Sequence, residues 1–331
     1  MDLETFLVSV YCLTDDVLKN VLHGARLRQR GPAPRLFDSE VIAMEVAGEY
    51  LGFETDYAIY RYFRRHWPHL FPRLRTVHRT TLLRQAANLW KVKEAIWQQL
   101  LEGVRYDPAL SILDSLPVPV CRFARAHRCR LFPGVSSYGK DATIPGTMFG
   151  LRAHLKVAWP GVITAFDLAP ANASDLSVAP LLLEATHGFA LGDRGYWSPR
   201  LRGELLRHGV SLIAPFQTAK HEKTPWPHWL VQKRRRIETV LAQLVERYSS
   251  KRTWARDLWH LSSRWLRKIL SHTVAVLLCQ QHGLGSLSFQ KLVASRKTCT
   301  PRSLDAHEPQ LYRRHLREHR KNRRRQRREE R

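Results

Sequence analysis

The stretch GFALGDRGYWSPRLRGELLRHGVSLIAPF, residues 188–216, decides the fold of this chain. It begins with an apolar strand (188–193), continues with an amphipathic helix that has proline in its first turn (198–209), and ends in a second apolar strand (210–216). This order is typical of two strands of one α/β sheet joined by a helix. Asp193 stands between two glycines where the first strand ends. It is either an ordinary turn residue or an acid that is presented to a cleft.

The preceding segments extend this sheet. Residues 109–120, ALSILDSLPVPV, predict a strand whose middle carries Asp114. Residues 148–159 and 161–170 predict two further strands joined by a turn at Trp159-Pro160-Gly161, as in a hairpin. An antiparallel hairpin followed by alternating strands and helices indicates a mixed α/β sheet.

The remaining segments give the domain organisation. Residues 1–105 are predicted to be helical and DNA-binding, although a plain helical bundle fits the same pattern. Residues 106–293 are predicted to form a second domain built on this α/β sheet, with a strong amphipathic helix at 233–250 and a further helical region at 254–293. Residues 294–331 are strongly basic and are predicted to be disordered in isolation.

Composition and charge restrict the partners. The 331 residues are 44% hydrophobic and carry a formal net charge of +25, which is typical of a globular protein with a polyanionic partner. Double-stranded DNA is the expected partner. Five scattered cysteines indicate a reducing cytosol and no disulfide framework. The beginning of the chain is unlike a signal peptide, and no apolar stretch reaches the roughly 18 residues of a membrane span.

Three carboxylates have informative positions. Asp114 interrupts an apolar strand, Asp193 ends a later strand, and Glu238 lies beside the apolar stripe of the 233–250 helix. If they converge, they repel one another and need cations to coexist. Oxygen ligands suit Mg²⁺ or Mn²⁺, and two such ions can support an in-line phosphoryl displacement. The chain has 29 acidic residues, so spacing alone also permits other sets of three.

Four blocks of sequence carry a resemblance to a known family. They are ILDSLPVPVCR (112–122), YGKD to ANASD (138–175), LGDRGYWSPRLRGELLRHGVSLIAPF (191–216) and RRRIETVLAQL (234–244). In this order and spacing they resemble bacterial insertion-sequence transposases of the DDE type, over about residues 1–293. Relatives often have Tyr and Arg before the glutamate and Lys after it. Arg234 fits this signature, whereas Val231 and Val245 occupy the other two positions.

The resemblance implies a ribonuclease-H-like domain, in which a mixed five-stranded sheet with antiparallel first strands is flanked by helices. It implies that Asp114, Asp193 and Glu238 are the catalytic acids and ligate two Mg²⁺ ions, for which Mn²⁺ can substitute. The implied activity is cleavage at the ends of an insertion sequence and joining of the freed 3′ end to target DNA. The enzyme would act as a homo-oligomer on DNA, in the cytoplasm and nucleoid of a bacterium.

The sequence is also compatible with two other functions. A catalytically inactive or domesticated copy would keep the charge and bind DNA without cutting it. A structure-specific nuclease on the same fold would hydrolyse DNA without joining it.

Several basic residues are candidates for contact with DNA. Strand alternation places Arg152, His154 and Lys156 on one sheet face, which is either a phosphate-neutralising surface or a solvated strand face. Arg194 beside Asp193, and Arg234 one helical turn before Glu238, are further candidates.

Other residues have a structural interpretation beside a functional one. Asn172 and Asp175 suit helix capping or a supporting role near the metals. The spacing of Cys121, His127 and Cys129 is not a usual zinc pattern, which favours packed thiols. Several tryptophans could stack on an unpaired base or belong to the core. They are Trp226, Trp229, Trp254, Trp259 and Trp265.

Overall fold

The computed structural model describes residues 1–28, 30–141, 146–216, 226–252 and 254–293, and Met1–Ala294 form one compact unit. The predicted disordered tail, residues 294–331, lies outside the described residues. The helices are α1 (Leu3–Leu22), α2 (Asp38–Tyr50), α3 (Asp56–His66), α4 (Arg79–Asn88), α5 (Trp90–Gly103), α6 (Asp175–Leu182), α7 (Pro199–Arg207), α8 (His228–Glu246), α9 (Leu258–Gln281) and α10 (Phe289–Leu292). The strands are β1 (Asp107–Cys121), β2 (Ser137–Asp141), β3 (Gly146–Trp159), β4 (Val162–Pro170), β5 (Gly188–Leu191) and β6 (Val210–Ile213).

The strands form one mixed sheet with β1 near its centre. Strand β3 pairs antiparallel with β1, β5 runs parallel to β1 on its other side, and β6 runs parallel to β5. Strands β2 and β4 both pair antiparallel with the outer edge of β3, β2 along residues 146–150 and β4 along 151–158. The sheet therefore contains six strands but is five strands wide. The predicted fold class is confirmed, with antiparallel strands first and parallel strands after them.

The predicted hairpin is formed by β3 and β4. The chain reverses at Trp159-Pro160-Gly161, with a cis peptide bond before the proline. Gly161 has a φ of +134°, a conformation that side chains disfavour, so the turn requires glycine at this position.

Both faces of the sheet are buried. On one face, Leu113 of β1 and Leu212 of β6 pack with apolar residues of α6 and α7. On the other, Ile112 and Leu116 of β1 join a larger core that includes Ile237 of α8 and the N-terminal helices. Strand β3, covered on both faces, is buried over most of its length.

The N-terminal helices pack on α9 through a core that contains charged side chains. Within the predicted helical region, α4 and α5 are separate helices that meet at Leu89. The Lys93 ammonium lies 2.7 Å from a Glu45 carboxylate oxygen, and both side chains are buried. Glu49 in turn pairs with two buried cations of α9, Arg267 and Lys268. We call these five residues the buried ion cluster.

None of the helices among the described residues has the length and apolar character needed to cross a membrane.

Candidate active site

Two of the three predicted acids lie on or just beyond neighbouring parallel strands, Asp114 within β1 and Asp193 just past the end of β5. Ile112 of β1 is the register partner of Leu191, the last residue of β5. Asp114 follows Ile112 by two residues and Asp193 follows Leu191 by two residues, so the register of the two strands brings the acids side by side. The end of β5 presents Asp193 there, as the strand-end interpretation predicts.

Backbone hydrogen bonds orient both carboxylates. Asp114 Oδ1 accepts a hydrogen bond from its neighbour's amide, Ser115 N, at 2.7 Å. Asp193 is the N-cap of a short 3-10 helix, Arg194–Tyr196, and its Oδ1 accepts from Gly195 N at 2.8 Å. The turn that ends β5 therefore also fixes the position of the Asp193 carboxylate.

The two acids are held close to other negative charges. Burial, with the charge of Asp193 as a further cause, raises the pKa of Asp114 to about 6. Burial and the charge of Asp175 raise the pKa of Asp193. The Arg234 guanidinium opposes both shifts. Carboxylates in this arrangement ionise together most readily when a cation lies between them.

Glu238 occupies a different environment. It lies on α8, exposed, one helical turn after the half-buried Arg234 and on the same face of the helix. Among the residues that the structure describes, no three His, Cys, Asp or Glu side chains are spaced to hold a metal ion together. The structure thus brings Asp114 and Asp193 together beside Arg234 and leaves Glu238 on the adjoining helix surface.

Two residues outside the predicted triad also lie at this site: Asp175, for which the sequence allowed helix capping or a supporting role near the metals, and Tyr196, to which it gave no role. Asp175 opens α6, where Ser174 and not Asp175 is the N-cap. Tyr196, in the turn after Asp193, is buried beside Asp114, Asp175 and Asp193. The signal for Tyr196 was present in the GDRGY block, whereas Asp175 had the same sequence pattern as a helix cap.

The basic candidates divide into exposed and buried groups. Arg152 is half-buried and donates hydrogen bonds to Ser115 Oγ at 3.0 Å and to Lys140 O at 2.6 Å. His154 is 0% exposed, and Lys156 is 9% exposed with its ammonium 2.8 Å from Thr186 Oγ1. These two side chains belong to the interior, and the solvated strand face is not observed. Arg194, in the turn after Asp193, donates to Phe216 O.

The tryptophans also divide. Trp265 is a core residue of α9, whereas Trp229, Trp254 and Trp259 are exposed. Cys121 and Cys129 are free thiols.

A mixed sheet that presents two neighbouring carboxylates, with an arginine that opposes their raised pKa values, is typical of enzymes of the metal-dependent phosphoryl-transfer class. Residues 107–257 match the family described as the transposase DDE domain. This match confirms the resemblance to transposases of the DDE type, and with it the predicted enzyme class. The matched segment extends from the start of β1 to just before α9 and contains Asp114, Asp193 and Glu238.

Comparison with solved structures gives a piggyBac transposase, determined by cryo-EM in a synaptic complex with hairpin DNA. The identity is 11% and the TM-score is 0.44, over 86% of this chain and 76% of that chain. No curated protein matches the chain.

Proposed function

We propose that this transposase binds the ends of an insertion sequence, cleaves the DNA there, and joins the freed 3′ end to target DNA. The observation that carries the proposal is the pairing of Asp114 and Asp193, beside Arg234, within a segment that matches the transposase DDE domain. Cleavage and joining are both phosphoryl transfers, and each needs a group that activates an oxygen nucleophile and one that stabilises the leaving oxygen.

The carboxylates fit a hard divalent cation. Mg²⁺ is commonly bound by one or two protein carboxylates, with waters and substrate phosphates as the other ligands. Asp114 and Asp193 would supply these carboxylates, and Glu238 would join them from α8 when DNA is bound. Two Mg²⁺ ions, or Mn²⁺ in their place, would supply the Lewis acidity that activates the nucleophile and stabilises the leaving oxygen.

The basic residues around the acids suit a DNA backbone. Arg234 and Arg194 flank the carboxylates, and Arg152 lies beside Ser115, next to Asp114. A net charge of +25 supports attraction of duplex DNA before any specific contact forms. His154 and Lys156 would act through their neighbours, because burial keeps them from touching phosphate.

We further propose that residues 1–105 recognise the element ends, that residues 106–293 are catalytic, and that the basic segment 294–331 adds affinity for DNA. The active form would be a homo-oligomer on DNA in a bacterial nucleoid.

The test uses the full chain with duplexes that carry the DNA flanking its reading frame on either side. With Mg²⁺, wild-type protein is expected to cut at a defined position and to join the cut strand to a second duplex. Asp193→Asn and Glu238→Gln are each expected to lose at least about 100-fold in cleavage while retaining DNA binding. Glu246→Gln, at the far end of α8 from Glu238, is the matched control and should cleave as wild type does.

Other outcomes would refute the proposal in specific ways. Binding without nicking by the wild-type chain would indicate a transposase-derived DNA-binding protein. Hydrolysis without joining would indicate a nuclease. Full activity of Glu238→Gln would show that Glu238 is not a catalytic residue.

A further inference from the structure

Asp175 lies against the acid pair without belonging to the predicted triad. Its side chain is 20% exposed, and its Oδ1 is 3.3 Å from Nδ1 of His154. A Cβ atom placed on Gly195 would be 2.8 Å from Asp175 Oδ2 and 3.0 Å from Asp193 Oδ1. The two carboxylates therefore border the same small space, and only glycine between them leaves that space open.

The Asp175 carboxylate is not needed for the helix that it opens. The Ser174 side chain accepts the capping hydrogen bond from Ser177 N at 3.2 Å. Asp175 does gain from the positive end of the helix dipole, as any acid in a first turn does. That interaction gives no reason for the carboxylate to turn toward β3 and the acid pair.

Two buried polar side chains that face this group each have an atom without a hydrogen-bond partner among the described residues. They are the Tyr196 hydroxyl, on a residue 1% exposed, and Nε2 of His154, whose Nδ1 has Asp175 Oδ1 as its polar contact at 3.3 Å. Buried polar groups in native proteins are usually paired, and a polar occupant of this space would supply the missing partners. Here two side chains beside the carboxylates, Tyr196 and His154, each carry such a group.

Resting on the proposed function, we infer that Asp175 is an auxiliary carboxylate of the divalent-cation site, with His154 as its positioning residue. Asp175 adds a third negative charge beside Asp114 and Asp193 and accepts hydrogen bonds from water bound to the cation. His154 fixes the direction of the Asp175 side chain from inside the sheet. Burial alone would raise the pKa of Asp175, but the interactions of Asp175 with His154, Ser115 and Arg152 outweigh that effect and hold its pKa below the ordinary value. Asp175 is therefore charged before a cation binds.

The test measures Mn²⁺ binding to the full chain without DNA, by electron paramagnetic resonance of the free ion. Asp175→Asn is expected to weaken binding about 10-fold or more, the range found for groups that orient a metal site from outside its ligand set. His154→Leu removes the 3.3 Å contact that positions Asp175 and should weaken binding by about threefold or more in a variant that still folds. Glu184→Gln removes the same charge just beyond the other end of α6 and is expected to bind as wild type does.

The outcomes separate this inference from the function on which it rests. Wild-type protein that takes up no Mn²⁺ would overturn both. Wild-type protein that binds Mn²⁺, with Asp175→Asn equal to it, would overturn only the role of Asp175. If Asp175→Asn fails to fold in EDTA, His154→Leu decides. A folded His154→Leu variant with wild-type affinity overturns the inference, and a folded variant with weakened affinity supports it.

Discussion

Neutralising Asp114 is expected to stabilise the metal-free protein at neutral pH. Burial and the charge of Asp193 raise the pKa of Asp114 from 3.8 to about 6. The folded state therefore holds this proton more tightly than the unfolded state does. Consequently the free energy of unfolding falls as the pH rises from about 4 to about 6, and the full cost is present above that range.

The magnitude follows from the size of the shift. One pKa unit corresponds to about 1.4 kcal/mol, so the ionised carboxylate costs at most about 3 kcal/mol. Relaxation around the charge reduces this, and we expect Asp114→Asn to gain about 1–2 kcal/mol, or about 2–3 °C in melting temperature for a chain of this length. Asparagine keeps an oxygen to accept from Ser115 N, so the variant loses the charge and retains the 2.7 Å hydrogen bond.

The assay is urea unfolding of wild type and Asp114→Asn in EDTA, at about pH 7.5 and about pH 4. The gain should be present at the higher pH and should shrink at the lower one, where wild-type Asp114 is already protonated. Adding Mg²⁺ should then stabilise wild type and leave the variant unchanged. A gain of equal size at both pH values, or no gain at neutral pH, would refute the electrostatic reasoning.

Two further changes test the parts of the structure around the site. Glu49→Gln leaves Arg267 and Lys268 without their shared buried acid, so urea unfolding should show a loss of about 3–5 kcal/mol. Glu54→Gln, which breaks the exposed pair of Glu54 with Arg252, is the control and should lose less than about 1 kcal/mol. Equal losses in the two variants would mean that burial does not make the loss of an ion pair more costly here. Tyr196→Phe removes an unpaired buried hydroxyl and should melt at or above the wild-type temperature in EDTA, by up to about 1 kcal/mol of added stability. A clear loss of stability there would mean that the hydroxyl has a partner in the metal-free protein.

The sequence predicts the sheet well because its signals are local. The hairpin of β3 and β4 follows from two apolar runs on either side of a Pro-Gly turn, and α7 follows from a serine cap with proline after it. Strand β2 was not predicted. Its sequence, SYGKD, has no apolar alternation, and it is a strand because the edge of β3 supplies hydrogen-bond partners.

The site was predictable where a residue violated a local rule. Asp114 within an apolar strand and Asp193 between two glycines both do so. Asp175 violates none, because an acid in the first turn of a helix is ordinary. Strand alternation places His154 on a polar face with Arg152 and Lys156. Its burial follows only from the elements that cover both faces of β3. The buried ion cluster joins residues more than 200 positions apart, such as Glu49 and Lys268, so local sequence patterns could not predict it.

The buried ion cluster also bears on the geometry of the site. Lys268 donates a second hydrogen bond to Tyr248 O, just after α8, and Arg247, at the end of α8, donates to Tyr50 O at 2.9 Å. The helix that carries Arg234 and Glu238 is therefore fixed at its C-terminal end to α2 and α9. Carboxylates that repel one another keep their positions only if the surrounding elements do not yield. The hydrogen bonds of Lys268 and Arg247 are suited to that task, because they tie the C-terminal end of α8 to α9 and α2. Holding α8 in place therefore also holds the Arg234 guanidinium near Asp114 and Asp193, whose raised pKa values it opposes.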